Sequence, residues 1–477
     1  MSDGGRPGAR GSPAAQLLRV IARDAIAGCD PGRAVERAVR AAPGRLVIGG
    51  RPMRLQRRGR LLLVAFGKAA AGMTEGLLRC LQKTETRRAV QALLVAPRDE
   101  EAGGGAAPGA KPPARPGLAA LRLALLKAEH PIPGPGSFAA GRKALAFGAR
   151  AGAGDDIVYL ASGGGSALME APLAPFIRPP ELITLHRLLV ASGAPIGAIN
   201  AVRKHLSAVK GGRLAVAARR AGSQTTLILC DVDAERYEEV ASGPSLPDRT
   251  TLDDMIGAID RYGLAPALPV RVLEALRPGR IPETPKPRDP LFRRARWESI
   301  LSNRDLRDAA VRSGLTRGFS AEAMPHEVTG PVEQAVEMVA RSVEAAPPGM
   351  RLLVLGGEVL TTPMGAGSGG RCQEFALRLA LRMAGLGARP WAFLAIGSDG
   401  RDGNSPAAGA FADGTTLERA RSVRLDPEKI LRAADSHRLF QKLGDAVVTG
   451  PTGTNVRDLY LLLTGFSGAA PGRPPSP

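Results

Sequence analysis

The sequence predicts an α/β protein in two domains, with sheets that are mostly parallel. Three observations carry this. Short apolar runs ending at glycines alternate with helix-period segments along most of the chain, the pattern of repeated β-α units. At 477 residues the chain exceeds what one hydrophobic core ordinarily organises. The apolar share of 44% is that of a globular protein, and no run of 18 or more apolar residues reads as a membrane span.

Residues 1–13, MSDGGRPGARGSP, lack the apolar stretch of a secretory signal and read as a disordered lead-in. From Ala14 to about Gly44 the pattern is helical, broken at Asp30-Pro31. LLLVAFGKAAAGM (Leu61 to Met73) reads as strand, turn and helix with Lys68 at the turn, and ALLVAP (Ala92 to Pro97) as a further strand. Arg98 to Gly117 is a Gly/Ala/Pro-rich surface insertion, and HPIPGPGS (His130 to Ser137) a rigid turn before a helix.

DDIVYLASGGGSALM (Asp155 to Met169) repeats the strand, glycine turn and helix. Ser192 to Ala215 reads as helical, carrying Arg203, Lys204 and Lys210 ahead of a Gly-Gly stop. TTLILCDVD (Thr225 to Asp233) is a strand running into acids, and ASGPSLPD (Ala241 to Asp248) a turn cluster. The Pro-rich stretch Arg277 to Pro290 reads as a linker or surface loop.

A strand near Ile300 restarts the pattern, and LLVLGGE (Leu352 to Glu358) is a buried strand. The glycine turn GAGSGG (Gly365 to Gly370) follows, and Arg371 opens a helix with Cys372, Phe375, Ala376, Leu379, Ala380 and Met383 on one face. WAFLAIG (Trp391 to Gly397) is a strand ending in an acidic turn from Ser398 to Gly403. The tail from Ser467 reads as loose.

The net charge of +20 raises the question of nucleic acid. The excess is mostly Arg dispersed among Ala, Gly and Pro, aromatics are only 4%, and no zinc-finger or RNP-like motif occurs, so a solvated basic surface is the better reading. Cys29, Cys80, Cys230 and Cys372 are scattered without CxxC or CxxH spacing, which points to a reducing, cytoplasmic setting without structural zinc. The five histidines lack metal-ligand spacing.

The chemistry concentrates in turns. The three glycines of SGGGS (Ser162, Gly163, Gly164, Gly165, Ser166) let backbone N–H groups converge on an anion. GAGSGG fits G-x-G-x-x-G, but it lies far from the N-terminus and Asp399 is too distant to be a ribose acid, so phosphate is favoured over a nicotinamide cofactor. A cation at a helix N-terminus opposes the helix dipole, so Arg371 is expected to face an anion. Asp231 and Asp399 end apolar strands, where open α/β sheets bind ligands. TGPTGTN (Thr449 to Asn455) offers Thr454 and Asn455 to a ligand-lining loop.

FGKAAAGM, HPIPGPGS, SGGGSAL, VRKHLSAVKGG, ASGPSLPD, GGRCQEFAL, GSDGRDG and TGPTGTNVRDL occur in this order, and with them the chain resembles the glycerate 2-kinase family. The resemblance covers nearly the whole chain outside its tails and Gly/Pro insertions. It implies a Rossmann-like DUF4147-type domain (14–275), a Pro-rich linker (276–295) and a smaller MOFRL-containing α/β domain (296–466), with the active site in the cleft. It implies ATP-dependent phosphorylation of D-glycerate or a close hydroxy acid to 2-phosphoglycerate. Lys68 and Arg371 match the family's basic pair. Asp231 and Asp399 match its acids, each a catalytic group or a ligand for Mg²⁺. Ser162 to Ser166, Arg203, Lys204, Glu358, Gly369, Gly370, Thr454 and Asn455 would line nucleotide and substrate.

The chain departs from the family pattern at Glu129, Ala198, Ala234-Glu235, Cys372 and Ser405-Pro406, changes that bear on metal and substrate more than on fold. The expected partners are ATP and a small hydroxy acid, with no specific nucleic acid and no membrane; a homo-oligomer stays open. Two other readings also stay open: NAD(P)H-dependent hydroxypyruvate reduction, the family's older label, and a diverged nucleotide-binding member without turnover.

Overall fold

The computed structural model describes residues 12–54, 59–84, 88–98, 121–232, 234–276, 280–362, 365–384 and 390–466. The lead-in up to residue 11, residues 99–117 of the insertion, Asp233 and the tail from Ser467 lie outside the described residues. Contacts divide the chain into two compact units. One runs Pro31–Leu301; the other combines the residues up to Asp30 with those from Ser302.

In the Pro31–Leu301 unit, six parallel strands form one sheet: β1 (Arg60–Phe66), β2 (Ala89–Pro97), β3 (Leu121–Ala128), β4 (Asp156–Ala161), β5 (Ser223–Leu229) and β6 (Ala295–Leu301). Their spatial order is β3-β2-β1-β4-β5-β6. The chain winds outward from β1 in one direction and from β4 in the other, so the strand order reverses between β1 and β4. That reversal is the doubly wound topology, and ligands bind beyond the carboxyl ends of the strands there. Every residue of β4 is buried, which is why it reads as a continuous apolar run rather than an alternation. Val64, Phe66, Ile157, Tyr159 and Ile228 share a core with Ala140, Ala144 and Phe147 of the helix Pro135–Ala149.

Three local expectations change. The helical pattern before Gly44 gives two helices, Pro13–Gly28 and Pro31–Ala38, and then a strand, Val39–Ala42, in a three-stranded antiparallel sheet with Arg45–Ile48 and Arg51–Arg54. Ser192 to Ala215 is not one helix: Ile196–His205 ends at a turn whose Gly211 and Gly212 have left-handed φ, and Arg213–Ala217 starts afresh. The Pro-rich stretch is packed rather than loose, since Ile281 is buried in a helical core with Leu182, Val202 and Met255. It also lies inside the Pro31–Leu301 unit, whose contact boundary falls at Leu301.

The helix Pro13–Gly28 belongs to the other unit. Ser12 caps it by accepting from Ala15 N at 3.1 Å, and Leu18, Ile21, Ala22 and Ala25 are buried at helical spacing. Asp24 fixes it to the helix Asn303–Leu315 and beyond, through Ser313 Oγ at 2.9 Å and Arg317 Nη2 at 2.7 Å.

The sheet of this unit contains β7 (Ser320–Ala323), β8 (Val328–Pro331), β9 (Arg351–Leu360), β10 (Trp391–Gly397), β11 (Gly409–Asp413), β12 (Ala446–Val447) and β13 (Asp458–Thr464). Its order is β7-β9-β13-β10-β11-β12, with β8 also on β9. Only the β7 and β8 pairings are parallel, so this sheet is mixed rather than mostly parallel. The reason is β13: the last strand inserts antiparallel between β9 and β10. Phe375 of the helix Arg371–Arg382 packs edge-on against Phe393 and Tyr460, with ring centroids 4.9 and 5.1 Å apart. No helix among the described residues is long and apolar enough to cross a membrane.

Candidate active site

In the Pro31–Leu301 unit the predicted residues gather at the switch point. Lys68 follows β1, the turn Ser162–Ser166 follows the adjacent β4, and Asp231 follows β5. The first two turns are stitched together. Lys68 N donates to Gly163 O at 2.8 Å, and Ser162 Oγ accepts from Ala69 N at 3.1 Å. The fit admits no side chain at Gly67, whose φ is +113° and where a Cβ would lie 2.2 Å from Ser162 Oγ. At Gly164, with φ +81°, a Cβ would stand 3.2 Å from both the Lys68 side chain and the His130 ring. The N–H groups of Gly163 and Gly164 have no hydrogen-bond partner among the described residues. They are therefore free to meet an anion.

The turn after β5 completes this group. Ala241, Ser242 and Gly243 are successive left-handed residues, with φ of 53°, 59° and 60°. A Cβ at Gly165 would lie 2.7 Å from Ala241 Cβ, so the two turns touch. Ser242 Oγ donates to Asn200 Oδ1 at 2.9 Å and sits 2.9 Å from Ser166 Oγ. Gly211 N and Gly212 N hold the strained turn by donating to the carbonyls of Ser242 and Gly243.

Arg203 and Lys204 are neighbours on one helix and point to different places. Lys204 is buried and pairs with Asp248 at 3.0 Å, so its charge already has a partner inside the protein. Arg203 lies beside a buried cluster of Glu170, His186 and Lys210; burial lowers its pKa to about 10, against the opposing charge of Glu170. Burial would raise the Glu170 carboxyl, but Lys210 and His186 outweigh it and hold the pKa at about 2. Burial likewise pushes His186 down to about 4.

In the other unit, Glu358, Asp399, Thr454 and Asn455 meet at one end of the sheet. Asp458 opens β13 directly between Gly357 of β9 and Gly397 of β10. Ser398 ties the acidic turn to the TGPTGTN loop: its N donates to Arg457 O at 3.0 Å, and its Oγ accepts from Val456 N at 2.8 Å. Asp399 Oδ1 accepts from Arg401 N at 3.1 Å. Asn455 Oδ1 accepts from Arg457 N at 3.3 Å, and Thr454 Oγ1 is buried without a hydrogen bond among the described residues.

Arg371 does not need a ligand to offset the helix dipole. Its Nε and Nη2 donate to Asp458 Oδ2 and Oδ1 at 2.6 and 2.9 Å, and its Nη1 lies 3.0 Å from Glu358. Burial alone would lower the guanidinium pKa, but Asp458 and then Glu358 outweigh it, and the net shift is upward.

The glycine turn before Arg371 is likewise occupied from within. Gly367 N donates to Ala433 O, Ser368 N to Asp435 Oδ1 and Gly369 N to Asn404 Oδ1. Cys372 N and Gln373 N, at the helix start, donate to the two oxygens of buried Asp402 at 3.0 and 2.9 Å. A Cβ at Gly370 would lie 2.3 Å from Asp402 Oδ1. The Asp402 carboxylate thus stands where the sequence led us to expect a phosphate, whereas the amides of Gly163 and Gly164 in the other turn face no such internal carboxylate among the described residues.

Sequence reasoning gave no site role to Asp458, His130, Asn200 or Ser242, and it noted Asp402 only as an acid near Asp399. Asp458 reads there as the polar edge of an apolar strand; only its position between two glycines of neighbouring strands marks it. Among the described residues, no group of three or more His, Cys, Asp or Glu is arranged to hold a metal ion by itself. Two depressions, of about 520 Å³ around Arg213 and Glu283 and about 420 Å³ around Arg51 and Trp297, are lined by no residue of the Lys68, Ser162–Ser166 or Asp399 turns.

A doubly wound parallel sheet with an open glycine turn at its switch point, joined to a mixed-sheet unit, places the chain in a definite class of α/β proteins. Residues 17–277 match the domain of unknown function DUF4147, and residues 351–458 match the MOFRL family. A glycerate 2-kinase of Pyrococcus horikoshii is 33% identical, with 94% of this chain and 96% of that protein covered. A protein of Agrobacterium vitis that carries a provisional hydroxypyruvate reductase name is 35% identical, over 95% of each chain. The crystal structure of a glycerate kinase from Thermotoga maritima superposes with a TM-score of 0.71 at 29% identity, covering 94% of this chain and 99% of that one. The chain belongs to the glycerate 2-kinase family.

Proposed function

We propose that the protein is an ATP-dependent kinase that phosphorylates D-glycerate, or a close small hydroxy acid, to 2-phosphoglycerate. The observation that carries the reading is the turn Ser162–Ser166 beside Lys68, with two unused N–H groups at the switch point of the sheet. Such a turn suits the phosphates of a nucleotide. Lys68 and Arg371 supply the positive charge that phosphoryl transfer requires as the substrate hydroxyl attacks the γ-phosphorus and the bond to the ADP oxygen breaks. Asp231 takes the hydroxyl proton where it is not the metal ligand.

Mg²⁺ ordinarily takes one or two protein carboxylates with the nucleotide phosphates, so one strand-end carboxylate, Asp231 or Asp399, fits it where a dedicated protein cage does not. When bound it would neutralise phosphate charge. The reductase name of the Agrobacterium relative supports a second reading. That reading would place a dinucleotide pyrophosphate on the GAGSGG turn, whose amides at Gly367, Ser368 and Gly369 are already taken.

A coupled ADP-release assay over a panel of small hydroxy acids, with the product position read by NMR, tests both readings. ADP release with D-glycerate and a 2-phosphorylated product is expected. Absence of ADP release across the panel overturns the kinase, and NAD(P)H oxidation with hydroxypyruvate establishes the reductase instead.

A further inference from the structure

We propose that Asp458 and Glu358 divide their action on Arg371: Asp458 fixes the guanidinium, and Glu358 is an internal counter-ion that passes to Arg457 when an anionic ligand takes the Nη1 edge. This rests on the reading above in one respect, that Arg371 meets an anion.

The two carboxylates differ in kind. Asp458 is 1% exposed and spends both oxygens, on the Nε and Nη2 edge of Arg371 and on the Tyr460 hydroxyl at 3.1 Å. A buried two-point pair of this sort sets the plane of the guanidinium and is costly to break. Glu358 is 35% exposed and holds the remaining Nη1 as a half-exposed ion pair, which contributes little and exchanges readily.

A second donor for Glu358 is already built. Its Oε2 lies 3.5 Å from Arg457 Nε, a buried donor with no hydrogen-bond partner among the described residues. Arg457 itself is anchored, because its Nη1 pairs with Glu327 and its backbone sits in the left-handed region at φ 69°. A small rotation of Glu358 would give Arg457 Nε the hydrogen bond it lacks and expose Nη1 of Arg371. Glu358 thus keeps the arginine paired until an anion arrives, without competing once it has.

The test is calorimetric titration of D-glycerate, and separately of inorganic phosphate, into the full chain, with melting temperatures recorded for each variant. Glu358→Gln is expected to tighten binding about 3-fold, the scale of one half-exposed ion pair. Arg457→Gln, which removes the alternative partner, is expected to weaken it similarly in the native background and to have no effect beside Glu358→Gln. Asp458→Asn is expected to weaken binding about 10-fold or more, as for a lost orienting partner, and to add nothing once Arg371 is Ala. Additive effects in either cycle, or weaker binding in Glu358→Gln, would overturn the proposal, as would a native chain that binds neither anion. A native chain that binds them but releases no ADP leaves this proposal standing and removes the kinase reading.

Discussion

Lys204 and Asp248 pair at 3.0 Å with side chains 3% and 0% exposed, so a residue that the sequence assigned to ligand binding has an internal counter-ion. Asp248 also accepts from Thr250 N and from the Thr250 and Thr284 hydroxyls, and Lys204 supplies the charge opposite it. Lys204→Ala is therefore expected to destabilise the protein by about 3–5 kcal/mol, the cost of a buried charge left alone, measured by urea unfolding. Native stability in that variant would show that the pair is not formed in solution.

Lys68 and Arg371 are the positive groups assigned to phosphoryl transfer. Lys68→Ala and Arg371→Ala are each expected to lower kcat on the order of 10²-fold or more, as for lost transition-state charge stabilisation. Circular dichroism and urea unfolding separate lost chemistry from lost fold, since Arg371→Ala leaves buried Asp458 without its partner. Native turnover in both variants would remove them from the mechanism.

Gly67 should tolerate nothing larger. Its φ of +113° disfavours a side chain, and a Cβ would press on Ser162 at 2.2 Å. Gly67→Ala is expected to cost about 1–3 kcal/mol and to raise the KM for ATP, because the two turns must move apart. Unchanged KM with unchanged stability would show that the Lys68 and Ser162 turns are not in register.

Asp402 and Asp155 make opposed contributions to the pH dependence. Burial raises the Asp402 carboxyl from 3.8 to about 6, against the N–H groups of Gln373 and Cys372 that favour its ionised form. The folded state thus keeps this proton where the unfolded chain has lost it, and stability falls as pH rises from about 4 to 6. Asp155 runs the other way. Burial alone would raise its pKa, but hydrogen bonds from Arg60 and Gly152 bring it down to about 2. Its contribution is present above 3.8 and is lost as pH falls towards 2. Urea titrations across pH should show Asp402→Asn making the slope between 4 and 6 more positive, beside the like contribution of Asp445 and the opposite one of His186, and a slope unchanged by Asp402→Asn would refute the assignment.

Periodicity and glycine punctuation were enough to fix the strands β1, β2, β4, β5, β9 and β10, because apolar runs such as LLLVAF and WAFLAIG can be buried on both faces and little else. They also marked the turns at Lys68, Ser162–Ser166 and Asp399, since a strand that stops at a glycine must turn there. Local pattern failed at LRLALLKA: the edge strand β3 is partly exposed on both faces and carries no clean period.

What the linear order determined is those six strands and the turns that end them, which follow from each segment's own chemistry. What only the tertiary structure decided is who partners whom. Asp402 fills the helix start that looked like a phosphate site, Lys204 is spent on Asp248, and Asp458 takes hold of Arg371. Charges are satisfied through space over a few ångströms, and Arg371 and Asp458 are 87 residues apart in the chain. Spacing along the sequence therefore cannot distinguish a charge waiting for a ligand from one that the fold has already paired.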